Sequence, residues 1–172
     1  QISFTEEDFD QAFMESLRRY GFAALIHHPL DDDRVQRIYE AWRAFFGSGA
    51  ASAYAMDPEA QDGYFSPEQA ESARGFSQRD YKEYFQYYPW GRCPDSLQSD
   101  LNAHFEAAAA LGARLLRCIA EQLPETITAQ LTEPLCAMIE QSGQSMLRVL
   151  HYPPFPAEES LLRAAPHEDI NL

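Results

Sequence analysis

The sequence predicts an α+β fold of one domain, with a mainly helical region over residues 1–143 and strands over residues 144–172. Two observations carry this prediction. In several stretches of the first region, apolar residues recur three or four positions apart, as on one face of an amphipathic helix. Near the end of the chain, residues 147–152 alternate between two sets of side chains, and a pair of prolines follows them. Such alternation is typical of a strand.

The composition is that of a folded globular domain. A chain of 172 residues can bury a core, and its contents of 45% hydrophobic and 13% aromatic residues argue against disorder. The net charge of −14 repels phosphate groups, so we expect neither nucleic acid nor a membrane as a partner. The three scattered cysteines are odd in number, which excludes a complete disulfide framework. We therefore expect a reducing, cytoplasmic setting.

The first predicted elements are a helix, a short strand and a second helix. Thr5, with an acid three residues later, predicts the N-cap of a helix over residues 6–20, which Gly21 ends. Residues 22–26 predict a short buried strand. The three aspartates at positions 31–33 predict the start of the second helix, because carboxylates are favoured at a helix N-terminus. A cation site is the alternative interpretation of these aspartates.

The middle of the chain predicts a long loop followed by an aromatic strand. Residues 47–79 are dominated by glycine, serine, alanine and proline. Within them, Tyr64 and Phe65 are interpreted either as pocket-lining residues or as anchors that hold the loop to the core. Residues 80–88 are dense in aromatic residues with polar residues between them, which predicts a strand.

The longest predicted helix follows, over residues 97–123. His104 falls near its apolar stripe and is interpreted as a partly buried packing residue. Two shorter helices are predicted near residues 125–131 and 133–142, and they lead into a strand over residues 145–152.

The last residues contain a candidate metal-binding pair, His167 and Asp169. Side chains two positions apart in a strand point to the same face, so this pair would lie side by side with Glu168 turned away. An imidazole beside a carboxylate suits a divalent metal, and one further histidine would complete the triad of non-haem Fe(II) oxygenases. The alternative is a surface histidine and a solvated aspartate at the edge of a loop.

Four stretches, in order, carry a resemblance to a known enzyme family. They contain Gly21-Phe22 before a strand, Phe45-Phe46 at the end of a helix, Asp80-Tyr81-Lys82-Glu83-Tyr84-Phe85, and Tyr152-Pro153 followed by His167-Glu168-Asp169. Together they resemble the isopenicillin N synthase-like, 2-oxoglutarate- and Fe(II)-dependent dioxygenases. The resemblance implies a double-stranded β-helix, or jelly roll, behind the N-terminal helical region. It also implies that this jelly roll is truncated after its first strands.

The same resemblance implies roles for individual residues. His167 and Asp169 take the places of the family's proximal histidine and carboxylate ligands to Fe(II). Tyr152 takes the place of a tyrosine that hydrogen-bonds 2-oxoglutarate in several members. Arg148 stands where a basic residue is often found near the pocket, and a structural salt bridge is the alternative interpretation. Leu150 stands where such members have an asparagine that helps to hold the cosubstrate.

The implied function is oxidation of a small organic substrate by dioxygen, with succinate and CO2 as co-products. The family's distal histidine and the arginine that holds the far carboxylate of 2-oxoglutarate lie well beyond its His-x-Asp motif. We therefore expect residues 1–172 to be the N-terminal part of a longer enzyme. Two alternatives are an oxidase of the same fold that does not use 2-oxoglutarate, and a non-catalytic fragment that acts as an interaction module.

Overall fold

The computed structural model of the protein describes residues 1–70, 79–140, 142–155 and 162–166. These residues form a mixture of helices and short strands, which confirms the predicted mixed class. The elements in chain order are β1 (Ile2–Ser3), α1 (Phe9–Tyr20), β2 (Leu25–Ile26), α2 (Asp32–Gly47), a 3-10 helix (Ala50–Tyr54), β3 (Gly63–Phe65), β4 (Glu83–Tyr87), α3 (Asp95–Gln122), α4 (Glu125–Thr128), α5 (Leu135–Ile139) and β5 (Leu147–His151).

The contacts divide the chain into two compact units. The first unit contains residues 1–32 and 104–142, and the second contains residues 33–103 and 143–172. Helix α3 begins in the second unit and continues into the first. The organisation as a single domain stays a prediction.

The first unit has an apolar core between α1 and the later part of α3. Phe9, Phe13 and Met14 of α1 are buried with Cys118 of α3. Strands β1 and β2 pair in parallel beside this core, and Ile2 of β1 is one of the apolar residues that pack against it. Phe9 and Phe13 of α1 therefore recur at helical spacing because one face of the helix is buried in this core, as the sequence predicted.

Helix α1 begins later than predicted, and the predicted Thr5 cap is wrong. The helix starts at Phe9 with Asp8 as its N-cap, and the Asp8 side chain makes no capping hydrogen bond. The Thr5 hydroxyl instead lies 3.1 Å from the Ser3 hydroxyl, so it is engaged within the turn before the helix. The predicted C-cap is confirmed, because Gly21 has a φ of 78° and its N–H donates to the Leu17 carbonyl at 2.9 Å.

The second unit is built on an antiparallel sheet in the order β3-β4-β5. In β4 and β5, Glu83 pairs with His151 and Gln86 pairs with Arg148. The alternation of side chains gives this sheet two faces. Helix α2 packs on the face that carries Phe85, where the Trp42 and Phe85 ring centres lie 4.8 Å apart.

The predicted loop over residues 47–79 contains two elements that the sequence did not predict, the 3-10 helix and β3. Strand β3 has only three residues, which is too short for a visible alternation. Its first residue, Gly63, has a φ of 94°, and a Cβ atom there would lie 2.5 Å from the Tyr54 carbonyl oxygen. Only glycine fits this position, because both the conformation and the close approach exclude a side chain.

The helical predictions for the rest of the chain agree with the structure. The first turn of α2 contains Asp32 and Asp33, as predicted for a helix start. His104 of α3 is half-buried, as predicted for a packing residue. All three cysteines are free. Over the described ranges, no helix has the length and apolar character that crossing a lipid bilayer requires.

Candidate functional site

The sheet face opposite α2 carries Arg148, one of the residues that the sequence singled out. Its Nη2 atom donates to the amide oxygen of Gln86 at 2.5 Å. Its guanidinium carbon lies 4.6 Å from the centre of the Tyr84 ring, within cation–π range. Tyr84 and Gln86 are buried, so they hold the guanidinium in a defined orientation. Phe65 of β3 pairs with Tyr84 and lies on the same face, where the two rings stack with their centres 4.6 Å apart.

Tyr152 directly follows β5 and is half-buried. Continued alternation along the strand would direct its side chain to the same face as Arg148. Between them, Leu150 is 45% exposed, which is unusual for a leucine in a sheet of buried aromatic residues. The Tyr152 carbonyl oxygen accepts a hydrogen bond from Arg163 Nη1 at 3.2 Å. The backbone after β5 is thus tied to a segment that comes eleven residues later.

That later segment, residues 162–166, is held by residues just before β4 and by residues just after β5. The Tyr81 N–H donates to the Leu162 carbonyl oxygen at 2.7 Å. The Ala165 N–H donates to the Asp80 carboxylate at 2.9 Å. The Arg163 guanidinium carbon lies 4.4 Å from the centre of the Phe155 ring. The chain immediately before His167 therefore lies against residues 80–82 and 152–155.

The carboxylate of Asp80 is a buried anchor in this arrangement. Its Oδ1 atom accepts the Ala165 N–H, and its Oδ2 atom lies 2.8 Å from Lys82 Nζ. The Asp80 side chain is buried, with 7% exposed, and the Lys82 side chain is partly buried, with 12% exposed. A buried carboxylate needs such partners, because an unpaired one would be strongly destabilising.

The predicted metal pair, His167 and Asp169, lies outside the described residues. Its donor set, one imidazole and one carboxylate, fits a divalent transition metal by its chemistry. Within the ranges that the structure describes, no three His, Cys, Asp or Glu side chains are grouped so that they could hold a metal ion. The assignment of this pair to a metal stays a prediction.

Comparison with known proteins identifies the family. The family described as "non-haem dioxygenase in morphine synthesis N-terminal" matches residues 3–105 of the chain, which is more than half of its length. The chain belongs to this family. This match confirms the family that the sequence motifs suggested.

Two curated relatives match nearly the whole dioxygenase chain. Jasmonate-induced oxygenase 1 of Arabidopsis thaliana is 26% identical over 173 residues, which cover 95% of this chain and 42% of that protein. The 2-oxoglutarate-dependent dioxygenase htyE of Aspergillus rugulosus is 26% identical over 201 residues, which cover 99% of this chain and 59% of that protein. The chain therefore spans about half the length of these relatives.

Solved structures share the fold of the dioxygenase chain. A Shewanella oneidensis crystal structure, described as that of an oxygenase, is 42% identical with a TM-score of 0.86 and covers 99% of this chain and 61% of its own. A Caulobacter crescentus protein described as a 2OG-Fe(II) oxygenase family member is 24% identical, with a TM-score of 0.63. That second match covers 91% of this chain and 57% of the other, and at this identity it shows the fold alone.

The sequence did not predict a hydrogen-bonded trio of side chains on the sheet face that contacts α2. Its members are Tyr64, Glu83 and His151. The Tyr64 hydroxyl donates to Glu83 Oε2 at 2.5 Å, and His151 Nδ1 lies 2.6 Å from Glu83 Oε1. Burial raises the pKa of Tyr64, and the hydrogen bond to Glu83 and its charge raise it further. No local pattern gives this contact, because it depends on the register that pairs Glu83 with His151. Of the two interpretations given for Tyr64, the structure favours an anchor that holds the loop to the sheet.

A second buried carboxylate, Asp62, is paired with Arg92. The Arg92 backbone N–H donates to Asp62 Oδ2 at 2.6 Å, and Arg92 Nη2 donates to Oδ1 at 2.7 Å. The Asp62 side chain is 3% exposed. Burial acts to raise the pKa of Asp62, but the hydrogen bonds and charge of Arg92 outweigh burial and hold this pKa below its usual value.

Asp62→Asn is expected to make the free energy of unfolding depend less on pH in the acidic range. Because the pKa of Asp62 is lower in the folded state, its contribution is present above the unfolded-state pKa and is lost as the pH falls. The variant should lose about 1–3 kcal/mol of unfolding free energy at neutral pH. Below about pH 5 its free energy of unfolding should then fall less steeply than that of the wild type. Urea denaturation at a series of pH values measures both slopes, and parallel slopes would contradict the assignment.

Proposed function

We propose that this chain is the N-terminal part of a non-haem Fe(II)- and 2-oxoglutarate-dependent oxygenase that oxidises a small organic substrate with dioxygen. The family match supports this class, as does the name of the relative from Aspergillus rugulosus. The observation that carries the proposal is the anchoring of residues 162–166 against residues 80–82 and 152–155. This anchoring supports a site in which the segment before His167 lies near Tyr152.

In the proposed site, His167 and Asp169 would hold the iron, and a further ligand would come from residues beyond this chain. When bound, ferrous iron would supply the redox chemistry that couples decarboxylation of 2-oxoglutarate to oxidation of a substrate C–H bond. The neutral imidazole of His167 and the ionised carboxylate of Asp169 would fix the metal position. We also propose that β3, β4 and β5 contribute the first strands of a jelly roll.

Arg148 and Tyr152 would bind the cosubstrate. 2-Oxoglutarate is a dianion, and the net charge of the chain is −14, so a cation on the sheet face provides local attraction where the surface otherwise repels anions. Gln86 and Tyr84 orient the Arg148 guanidinium, so less conformational freedom is lost when it meets a carboxylate. The Tyr152 phenol would donate a hydrogen bond to the same ligand. The buried rings of Phe65 and Tyr84 would exclude water beside it.

Product analysis tests the proposed class. The natural-length protein, supplied with Fe(II), O2 and 2-oxoglutarate, is expected to release succinate and CO2 in proportion to substrate oxidised. Oxidation without succinate would favour the oxidase that does not use 2-oxoglutarate. Absence of Mn(II) binding under anaerobic conditions would favour the non-catalytic interaction module. We propose a cytoplasmic location for the enzyme, which cell fractionation would test.

Arg148→Met is expected to weaken 2-oxoglutarate binding by about 10–100-fold, because a hydrogen bond to a charged group contributes about 1.5–3 kcal/mol. Arg148→Lys keeps the charge without the planar guanidinium and should give an intermediate loss. Isothermal titration of the Mn(II)-loaded natural-length protein measures the dissociation constant.

A matched control for this titration is Arg37→Met. Arg37 lies in the same unit and forms a surface ion pair with Asp100 at 2.9 Å. Its replacement should leave 2-oxoglutarate affinity within about twofold of the wild type, since an exposed ion pair contributes little. Equal affinities for Arg148→Met and Arg37→Met would remove Arg148 from the cosubstrate site.

A further inference from the structure

Gln86 of β4 connects a turn before β3 with Arg148 of β5. Its Nε2 atom donates to the Gln61 carbonyl oxygen at 2.6 Å, and its Oε1 atom accepts from Arg148 Nη2 at 2.5 Å. Gln86 is 5% exposed, so water has little access to its amide group. The two hydrogen bonds therefore join three positions that are far apart in the sequence and lie in the same unit.

The two neighbours of Gln86 fix the direction in which its amide group points. A side-chain amide has a donor end and an acceptor end of almost the same shape, so hydrogen bonds decide its orientation. The Gln61 carbonyl can only accept, and the Arg148 guanidinium can only donate. Rotation of the amide by half a turn would place two acceptors together and two donors together. The amide oxygen is therefore held toward Arg148 while the Gln61 carbonyl stays in place.

The turn over residues 57–62 holds the Gln61 carbonyl. The Gln61 N–H donates to the Asp57 carbonyl oxygen at 2.8 Å. The Asp57 Oδ1 atom accepts the N–H groups of Glu59 and Ala60 at 2.8 and 2.9 Å. Gln61 has a φ of 58°, a conformation that residues with a side chain rarely adopt. The hydrogen bonds of the turn must therefore hold the backbone of Gln61 in this conformation.

The residue after Gln61 is fixed as well. Asp62 is buried, and its carboxylate accepts the Arg92 backbone N–H at 2.6 Å and Arg92 Nη2 at 2.7 Å. Its carbonyl oxygen accepts the Asp57 N–H at 3.2 Å, which closes the turn. Gln61 thus lies between two residues that are held in place, and the position of its carbonyl relative to β4 is defined.

We infer that the turn over residues 57–62 positions the Arg148 guanidinium, with Gln86 as the link between them. The inference rests on the proposed function for the identity of the ligand, a carboxylate of 2-oxoglutarate. The turn and Gln86 do not touch that ligand in this scheme, so they are positioning residues. Their loss leaves the cation in the chain but lets its guanidinium rotate, and ligand binding must then remove that freedom.

Gln86→Met tests the link. Methionine is close to glutamine in length, and it removes both hydrogen bonds without adding a charge. Heteronuclear NMR of the natural-length protein, without metal or cosubstrate, measures how fast the Arg148 guanidinium rotates. The loss of its signals in Arg148→Lys assigns them. Isothermal titration of the Mn(II)-loaded protein measures the dissociation constant for 2-oxoglutarate, at a temperature where circular dichroism shows each variant to be folded.

Gln86→Met should make the guanidinium rotate faster and raise the dissociation constant for 2-oxoglutarate by about 3–10-fold, the usual effect of having to order one side chain on binding. Gln122→Met is the matched control, because the Gln122 amide also donates to a distant backbone carbonyl, that of Asp10, at 2.9 Å. Guanidinium rotation and 2-oxoglutarate affinity in this control should both stay within about twofold of the wild type.

Asp57→Ala tests the turn separately. It removes the acceptor for the Glu59 and Ala60 N–H groups and leaves Gln86 and Arg148 unchanged. The guanidinium should rotate faster than in the wild type, and the loss of 2-oxoglutarate affinity should be smaller than in Gln86→Met. Glu68→Ala is the control for this variant. Glu68 also accepts a local hydrogen bond, from the Ser66 hydroxyl at 2.6 Å, but it follows β3 instead of preceding it.

Three results would overturn the inference. The first is a wild-type value of either measurement in Gln86→Met. The second is wild-type guanidinium rotation in Asp57→Ala, which would show that the turn does not act on Arg148. The third is an equal change in Gln122→Met or Glu68→Ala, which would show that both measurements follow general stability. Failure of the wild-type protein to bind 2-oxoglutarate would overturn the proposed function, whereas the rotation measurement needs no ligand and still decides whether the turn positions Arg148.

Discussion

Replacing His167 with alanine is expected to weaken Mn(II) binding by at least about 100-fold. Removal of groups that only orient a ligand already costs 10–100-fold in metal affinity, so removal of a ligand itself should cost at least as much. Asp169→Ala should have the same effect, because a pair that shares one metal fails when either member is lost. Anaerobic isothermal titration of the natural-length protein measures the change.

The neighbouring residue provides the control for this result. Glu168 is predicted to point away from the pair, so Glu168→Ala should bind Mn(II) within about twofold of the wild type. The helical circular dichroism of all three variants should match the wild type, since α3 buries Leu101, Leu116 and Cys118 without help from a metal. Unchanged Mn(II) affinity in His167→Ala, or an equal loss in Glu168→Ala, would show that these positions do not form the metal pair.

Trp42→Ala is expected to lower the free energy of unfolding by about 3–5 kcal/mol, as replacing a buried aromatic residue with alanine usually does. Trp42 is 2% exposed. Its ring centre lies 5.2 Å from that of Phe45, 5.9 Å from that of Phe46 and 4.8 Å from that of Phe85. No small side chain fills this space, so a cavity remains between α2 and the sheet. Urea denaturation followed by circular dichroism measures the loss.

The second tryptophan of the chain is the matched control. Trp90 is 53% exposed, stacks on Tyr88 and donates its indole N–H to the Gly143 carbonyl oxygen at 2.8 Å. Trp90→Ala should therefore cost only about 1 kcal/mol, the contribution of an exposed contact and one hydrogen bond. Similar losses for the two variants would contradict the assignment of Trp42 to the core of the second unit.

The sequence predicted the helices better than the short strands for a physical reason. Helices α1, α2 and α3 bury one continuous stripe, so their apolar residues repeat over several turns and remain visible along the chain. Strands β1 and β3 contain two and three residues, too few for any repeat. The start of α1 was predicted too early, because Thr5 has the sequence pattern of a helix cap but its hydroxyl lies beside that of Ser3 in the turn before the helix.

The candidate site was predictable only in its individual residues. Alternation along β5 placed Arg148 on one face, and the resemblance indicated Tyr152, His167 and Asp169. The partners of these residues were not predictable, since Gln86 reaches Arg148 only through strand register. The anchor at Asp80 was hidden for the same reason: nothing near it in sequence points to an amide 85 positions away.

The hydrogen-bonded trio of Tyr64, Glu83 and His151 limits the ways in which α2 can rest on the sheet. Flat rings tolerate small displacements against one another, so an interface of rings alone would permit several arrangements of nearly equal energy. Here Phe46 stacks on the His151 ring, with the two ring centres 5.3 Å apart, and the imidazole is itself held by Glu83. Sliding of the helix would break that stacking, so a directional polar contact selects one packing among many.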